Sequence, residues 1–222
     1  MHRLDHIVLG ASSLDQGTKF LEKLLDTKLS DIGYHKNMGT HNRVVKISKH
    51  IYLELIAIDP KSKELKHKRW FNLDNPILQK KLSKSPQIIG FVIENENQQI
   101  LKYYDPFFKV SRANYFWDFA MPSVKNDLIS DRLLENGIIP SLINWKSKKP
   151  ISNMKDNKLE LEKFEIEFTK NQVNYKNFLN SLGEFEKLSF VVNTQEQFIN
   201  SADYPKIKIT IKDKLRNIII SL

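Results

Sequence analysis

The chain has 222 residues, a formal net charge of +9 and no cysteine. The absence of cysteine excludes a disulfide scaffold, a thiol nucleophile and a thiolate metal site. The hydrophobic fraction of 41% and the charged fraction of 27% are typical of a soluble globular protein. The lysines are scattered among 26 acidic residues and accompany no nucleic-acid motif, which weighs against a nucleic-acid partner.

The longest apolar stretches of the sequence are far too short to span a bilayer. Residues 1–10 carry Asp5 and His6 inside a short apolar run, which does not match the pattern of a signal peptide. We therefore expect a cytoplasmic protein with no membrane partner.

Residues 1–60 predict a first unit in the order β-α-β-β-β. The apolar run over 3–10 indicates a buried strand. Ser12 or Ser13 then caps a helix, with Gln16 three residues after Ser13 as a capping-box partner. A short extended piece near 28–32 and two strands over 42–48 and 51–58 complete the unit, which ends at Asp59-Pro60.

Residues 61–86 are expected to form a connector with one short helix after Pro76. Its aromatic pair Trp70-Phe71 is best explained as a lid packed on the core. A second unit over 87–150 repeats the order, with strands over 88–93, 108–112, 115–121 and 141–145, a weak helix over 95–104 and a loop over 123–138.

A third pass over 157–222 begins with a strand in which Phe164, Ile166 and Phe168 alternate with acidic residues. A helix begins at Asn171 or Asn174, and strands follow over 188–193, 206–212 and 217–222. Three passes of one pattern predict an α+β fold built from repeated βαβββ modules, the third of them degenerate.

Two of the predicted strands carry a single metal-capable side chain in apolar surroundings, His6 in the first and Glu54 in the last strand of the first unit. A buried carboxylate is costly unless it is paired, coordinated or facing a wet cavity. Glu54 therefore either faces a cavity or pairs with Arg43 or Lys46 on the neighbouring strand. His6 either contacts a metal or ligand or is a core histidine bonded to backbone.

Further candidates for a binding site follow in the chain. Gly39 permits a turn after which His41 and Asn42 enter a strand that faces a cavity. The alternative is that Thr40 and Asn42 merely close the loop and cap the strand. Trp117 and Trp145 on second-unit strands either form a cavity wall that stacks a planar ligand or belong to the ordinary core. His35 is expected to be an exposed loop histidine.

Several strings resemble the glyoxalase-like domain proteins of the vicinal oxygen chelate superfamily: LDHIVLGASSLDQGTKFLEKLL, GTHNRVVKI and YLELIAIDP in the first unit, then RWFNLD and NGIIPSLINW. The resemblance implies paired βαβββ modules whose curled mixed sheets enclose a cavity. It also implies a divalent metal, Mn, Fe, Ni, Co or Zn, held by a histidine and a glutamate from each module. Carried onto this sequence, the first pair is His6 and Glu54, as metal ligands and catalytic residues.

The second pair departs from the family pattern, since Gly90 stands at the position matching His6 and the strand over 141–145 has no carboxylate. His41 could complete a set of two histidines and one carboxylate. The resemblance implies a metal-dependent lyase, isomerase or dioxygenase that chelates a small oxygenated metabolite through two oxygens. The alternative is a metal-free small-molecule binding protein with the same cavity. Edge pairing of the sheets could give homo-oligomers.

Overall fold

A computed structural model describes residues 3–95, 103–123, 137–169, 176–177, 179–180, 188–193 and 206–222. The expected helix over 95–104, the loop over 123–138 and the helix after 171 lie largely outside the described residues. Among the described residues, 176–177 and 179–180 are helical. No helix in these ranges is both long and apolar enough to cross a membrane.

The described strands and α1 occur along the chain in the order that was predicted. The regular elements are β1 (Arg3–Gly10), α1 (Leu14–Leu25), β2 (Gly33–His35), β3 (Thr40–Lys46), β4 (Tyr52–Ile58), α2 (Pro76–Leu82), β5 (Gln87–Glu94), β6 (Phe108–Arg112), β7 (Tyr115–Ala120), β8 (Ser141–Trp145), β9 (Leu159–Thr169), β10 (Leu188–Asn193), β11 (Lys206–Asp213) and β12 (Ile218–Ser221). The strand expected near 28–32 is instead at Gly33–His35, because antiparallel pairing with β3 covers only Gly33 to His35.

Helix α1 begins as the capping pattern predicts. The Ser13 hydroxyl accepts a hydrogen bond from the Gln16 amide at 3.2 Å, and the Gln16 side chain accepts one from the Ser12 amide at 3.1 Å. The helix ends at Asp26, which adopts a left-handed conformation with φ 48°. Its buried side chains include Leu21 and Leu25, which pack on the large sheet.

Eight strands form one mixed sheet in the order β2-β3-β4-β1-β5-β8-β7-β6. Its two halves share a plan: β1 pairs parallel with β4, β5 pairs parallel with β8, and β1 meets β5 antiparallel at the centre. The edge strands β2 and β6 approach each other, so the sheet is curled and nearly closed. This curvature gives the sheet a concave inner face and a convex outer face.

The outer face of the large sheet is covered by α1 and by a second sheet in the order β10-β9-β11-β12. Phe91 on β5 and Phe164 on β9 meet edge to face across this layer, with ring centroids 4.9 Å apart. In this second sheet β9 pairs parallel with β10, the next strand in the chain, whereas β1 and β5 pair parallel with the fourth strand of their units. The division into three modules stays a prediction.

Candidate functional site

The central strands place His6 and Glu54 on the concave face of the large sheet. Val8 on β1 is opposite Glu54 on β4 in the parallel register, and His6 is opposite Tyr52. Because alternate residues of a strand share a face, His6, Tyr52 and Glu54 line one cavity together. His6 Nε2 lies 3.4 Å from Glu54 Oε2, and the His6 ring stacks on Tyr52 with centroids 4.7 Å apart.

Asp5 completes the surroundings of His6. Its Oδ1 lies 2.6 Å from His6 Nδ1, and its Oδ2 accepts a hydrogen bond from Trp145 Nε1 at 2.9 Å. Burial by itself lowers the pKa of His6, but hydrogen bonds and charges from Asp5 and Glu54 outweigh it and raise that pKa to about 9. His6 is therefore an imidazolium held between two carboxylates at neutral pH. Sequence reasoning missed Asp5, although an acid in an apolar strand was the available signal.

Glu54 is bound by side chains that line the cavity. It is not paired with Arg43 or Lys46, the alternative partners on the neighbouring strand. Its Oε1 accepts a hydrogen bond from Asn42 Nδ2 at 2.6 Å. Burial raises the pKa of Glu54, yet His6, His35 and Asn42 together lower it to about 2. Neither Arg43 nor Lys46 pairs with Glu54: Arg43 donates to the Ser30 carbonyl, and Lys46 pairs with Asp156.

Asn42 connects Glu54 to a guanidinium from the far edge of the sheet. Its amide donates to Glu54, while its Oδ1 accepts from Arg112 Nη1 at 2.7 Å. Arg112 ends β6 and reaches across the opening between the sheet edges to β2. A Cβ on Gly33 would clash with both Arg112 Nη1 and Asn42 Oδ1, so glycine at this position makes room for the contact. Arg112 was not predicted as a site residue.

The cavity contains His35, and His41 is absent from its lining. Side chains alternate along β3, so Asn42 faces inward while His41 lies beside Tyr34, with ring centroids 6.3 Å apart. The expectation of an exposed His35 was wrong. His35 is 5% exposed, its Nδ1 lies 3.2 Å from Thr40 Oγ1, and burial lowers its pKa to about 4. It is therefore neutral at neutral pH.

Aromatic rings form most of the remaining wall. All three tryptophans of the chain line the cavity, together with two phenylalanines: Trp70, Trp117, Trp145, Phe71 and Phe119. Trp117 and Trp145 are tilted neighbours with centroids 5.2 Å apart, and Trp70 is buried with its Nε1 donating to Thr40 Oγ1 at 3.2 Å. The open space they leave measures about 30 Å³, enough for one or two water-sized groups.

The strand register shows which residues in the second half of the large sheet correspond to His6 and Glu54 in the first half. Ile7 is opposite Phe91 at the centre of the antiparallel β1–β5 pair, so the two halves place Gly90 where His6 is and Val92 where Val8 is. Val92 is opposite Ser141, just as Val8 is opposite Glu54. The second half thus has glycine and serine where the first half has histidine and glutamate.

The residues present do not fit the four-ligand metal site that the resemblance implies. His6 and Glu54 supply only two donors. Beside Gly90 the space is filled by Phe71, whose ring carbon would lie 3.1 Å from an added Cβ. Within the residues that the structure describes, no group of three or more His, Asp or Glu is arranged to hold a metal ion.

The curled mixed sheet, its two related halves and the enclosed cavity define a protein of the vicinal oxygen chelate superfamily. A family model described as a glyoxalase-like domain matches residues 4–179, and the chain belongs to this family. No curated protein matches the sequence.

Solved structures that resemble this chain cover about two thirds of it or more. A hypothetical protein from Staphylococcus aureus covers 100% of this chain and 98% of its own, with a TM-score of 0.65 and 16% identity. Methylmalonyl-CoA epimerase from Mycobacterium tuberculosis covers 68% of this chain and 91% of its own, with a TM-score of 0.41 and 13% identity. A variant of the Streptomyces coelicolor epimerase in complex with 2-nitronate-propionyl-CoA covers 64% and 95%, with a TM-score of 0.42 and 14% identity. At 16% identity, the similarity to the Staphylococcus aureus protein shows the fold alone.

Proposed function

We propose that this glyoxalase-like protein binds a small oxygenated molecule in the His6–Glu54 cavity, without the paired metal ligands of its superfamily. The observation that carries the proposal is that Gly90 and Ser141 occupy, in the second half of the sheet, the positions that His6 and Glu54 occupy in the first. Two donors alone seldom hold a metal tightly. The same cavity offers polar groups that suit a hydroxyl or carbonyl, surrounded by aromatic walls that exclude water.

The charge state of Glu54 favours binding over proton abstraction. A carboxylate with a pKa of about 2 is a weak base at neutral pH, because a general base acts best with a pKa near the working pH. His6 holds Glu54 in this ionised form, so the pair presents a fixed donor and a fixed acceptor. Such a pair can orient a ligand that both donates and accepts hydrogen bonds.

The second candidate is the metal-dependent lyase, isomerase or dioxygenase that the family resemblance implies. It is favoured by one observation, that His6 Nε2 and Glu54 Oε2 face the same cavity only 3.4 Å apart. It requires a third donor, and His35 is the other histidine that lines the cavity. In this case Mn, Fe, Ni, Co or Zn would be the ion, as expected for imidazole and carboxylate ligands.

Elemental analysis of the purified protein separates the two candidates. The binding proposal predicts less than stoichiometric Mn, Fe, Ni, Co or Zn after incubation with each ion, and the same low content in Glu54→Gln. It also predicts that small hydroxyl or carbonyl compounds change the tryptophan fluorescence in the presence of a chelator. One equivalent of metal in the wild type, lost in Glu54→Gln, would instead establish the metal-dependent candidate.

A further inference from the structure

The His6–Glu54 cavity adjoins a much larger groove on the outside of the sheet opening. The groove has a volume of about 810 Å³, against about 30 Å³ for the inner cavity. Three residues line both spaces: Val44, Arg112 and Pro150. Since the inner cavity admits only one or two non-hydrogen atoms, a larger ligand that reaches His6 extends beyond it, and the groove is an adjoining space of sufficient volume.

The groove is basic. Its lining holds five basic side chains and one acidic side chain, Asp31. Two of the lysines are neutralised, Lys28 by Glu22 and Lys46 by Asp156. The other three basic side chains, Lys36, Lys155 and Arg112, form no ion pair with any residue that the structure describes. Their positive charge is available to an anionic ligand.

Arg112 has the geometry of an anion-binding residue at the boundary between groove and cavity. Its Nη1 is engaged by Asn42, and its guanidinium carbon lies 5.7 Å from the centroid of the Tyr115 ring. Among the described residues, no acceptor engages its Nε or Nη2. These two donors form the edge of a guanidinium that matches the two oxygens of a carboxylate or phosphate.

Asn42 sets the spacing between the Arg112 guanidinium and the His6–Glu54 pair, because it bonds Arg112 on one side and Glu54 on the other. One amide therefore separates the guanidinium from the Glu54 carboxylate. Gly33 keeps this arrangement possible, since any larger residue would push against Arg112 and Asn42.

We propose that the ligand of this protein is a small oxoacid, whose carboxylate or phosphate binds Arg112 in the basic groove while a hydroxyl or carbonyl end enters the His6–Glu54 cavity. This rests on the proposed function, to which it adds the substrate class. The two proposals can fail separately. If neutral compounds bind as tightly as acids, the proposed function still holds and only the anion site is refuted.

The test compares matched acid and neutral probes by tryptophan fluorescence, which reports on the cavity because all three tryptophans line it. The probes are 4-hydroxybutanoate, its amide 4-hydroxybutanamide, and 2-hydroxyethyl phosphate. We expect at least one acid to bind the wild type ten times or more as tightly as the amide. A preference for the carboxylate or for the phosphate identifies the acid group.

The variants are Arg112→Ala, Arg112→Lys and the control Lys80→Ala, which removes one positive charge from the exposed surface of α2. Arg112→Ala should lower acid affinity about tenfold or more, Arg112→Lys should retain part of it, and Lys80→Ala should leave it unchanged. Thermal unfolding of each variant shows that it is folded. Equal affinity of acids and amide in the wild type, no binding of either acid, or unchanged acid affinity in folded Arg112→Ala would overturn the proposal.

Discussion

Phe71 packs over Gly90, at the point in the second half of the large sheet that corresponds to His6 in the first half. Phe71 adopts a left-handed conformation with φ 53°, which is uncommon for a bulky residue. Its ring lies near Trp70 and Phe119, with centroids 5.9 and 6.2 Å away. An aromatic ring from the connector therefore closes the half of the cavity where the superfamily pattern would place a second histidine.

Replacing Phe71 with alanine should open space beside Gly90. We expect benzyl alcohol, too large for the wild-type cavity, to bind Phe71→Ala and change its tryptophan fluorescence. The free energy of unfolding should fall by about 2 kcal/mol, less than for a fully buried phenylalanine because Phe71 is only half-buried. Phe116→Ala is the control, since that ring is 51% exposed and should change neither quantity. Equal binding of benzyl alcohol by wild type and Phe71→Ala would show that Phe71 does not limit the cavity.

The His6–Glu54 pair should control the protonation of His6. Glu54→Gln removes a charge and a charge-assisted hydrogen bond, so the pKa of His6 should fall from about 9 while Asp5 still keeps it charged at low pH. Breaking a buried pair should also cost on the order of 3 kcal/mol of unfolding free energy. NMR titration of the histidine ring and chemical denaturation measure these effects. Exposed Glu64→Gln should change neither, and an unshifted His6 titration in Glu54→Gln would refute the pair.

Stability should decline at alkaline pH because of His6. Its folded pKa of about 9 lies above the ordinary value of 6.5, so the contribution is fully present below pH 6.5 and is lost as pH rises through 9. The loss should be on the order of 3 kcal/mol. It should appear in denaturation of the wild type at pH 6.5 and 9.5 and be absent from His6→Gln. The same alkaline loss in both proteins would assign it to other groups.

Stability should also decline on the acidic side because of His35. Its folded pKa of about 4 lies below 6.5, so the unfolded chain takes up the proton first and stability is lost as pH falls from 6.5 towards 4. His35→Ala should cost about 2 kcal/mol at pH 7, because it leaves space beside Trp70, and should flatten the pH dependence in this range. His41→Ala, outside the cavity, should cost less than about 1 kcal/mol. Denaturation of both variants at pH 5 and 7 tests these expectations. A larger loss of unfolding free energy in His41→Ala than in His35→Ala would show that His41, not His35, is the buried histidine that matters for stability.

Gly33→Ala should mimic the loss of Arg112 without unfolding the protein. The added methyl group meets the ends of two side chains, which can move, and the backbone of Gly33 needs no left-handed conformation. We expect unfolding free energy to change by less than about 1 kcal/mol. Acid affinity should fall because the Arg112–Asn42 contact is displaced. The fluorescence titration with 4-hydroxybutanoate measures this, and full affinity in Gly33→Ala would show that the contact is dispensable.

Local patterns in the sequence were sufficient to predict α1 and the strands other than β2, because each depends on neighbouring residues: apolar runs for β1 and β5, and the Ser13–Gln16 cap for α1. They also indicated that Glu54 needs a partner or a wet cavity, since its neighbours on β4 are apolar. The absence of a carboxylate from β8 was visible in the same way.

Only the tertiary structure decided which side chains meet. His35 enters the cavity in place of His41 because β2 is shorter and later than predicted and because β3 turns alternate residues inward. Arg112 and Asn42 are 70 residues apart in sequence, and they meet because the sheet curls until its edges approach. Asp5 gains its partner Trp145 through the order of strands β1, β5 and β8. Such contacts follow from which strands become neighbours and from the curl of the whole sheet, which local sequence patterns do not encode.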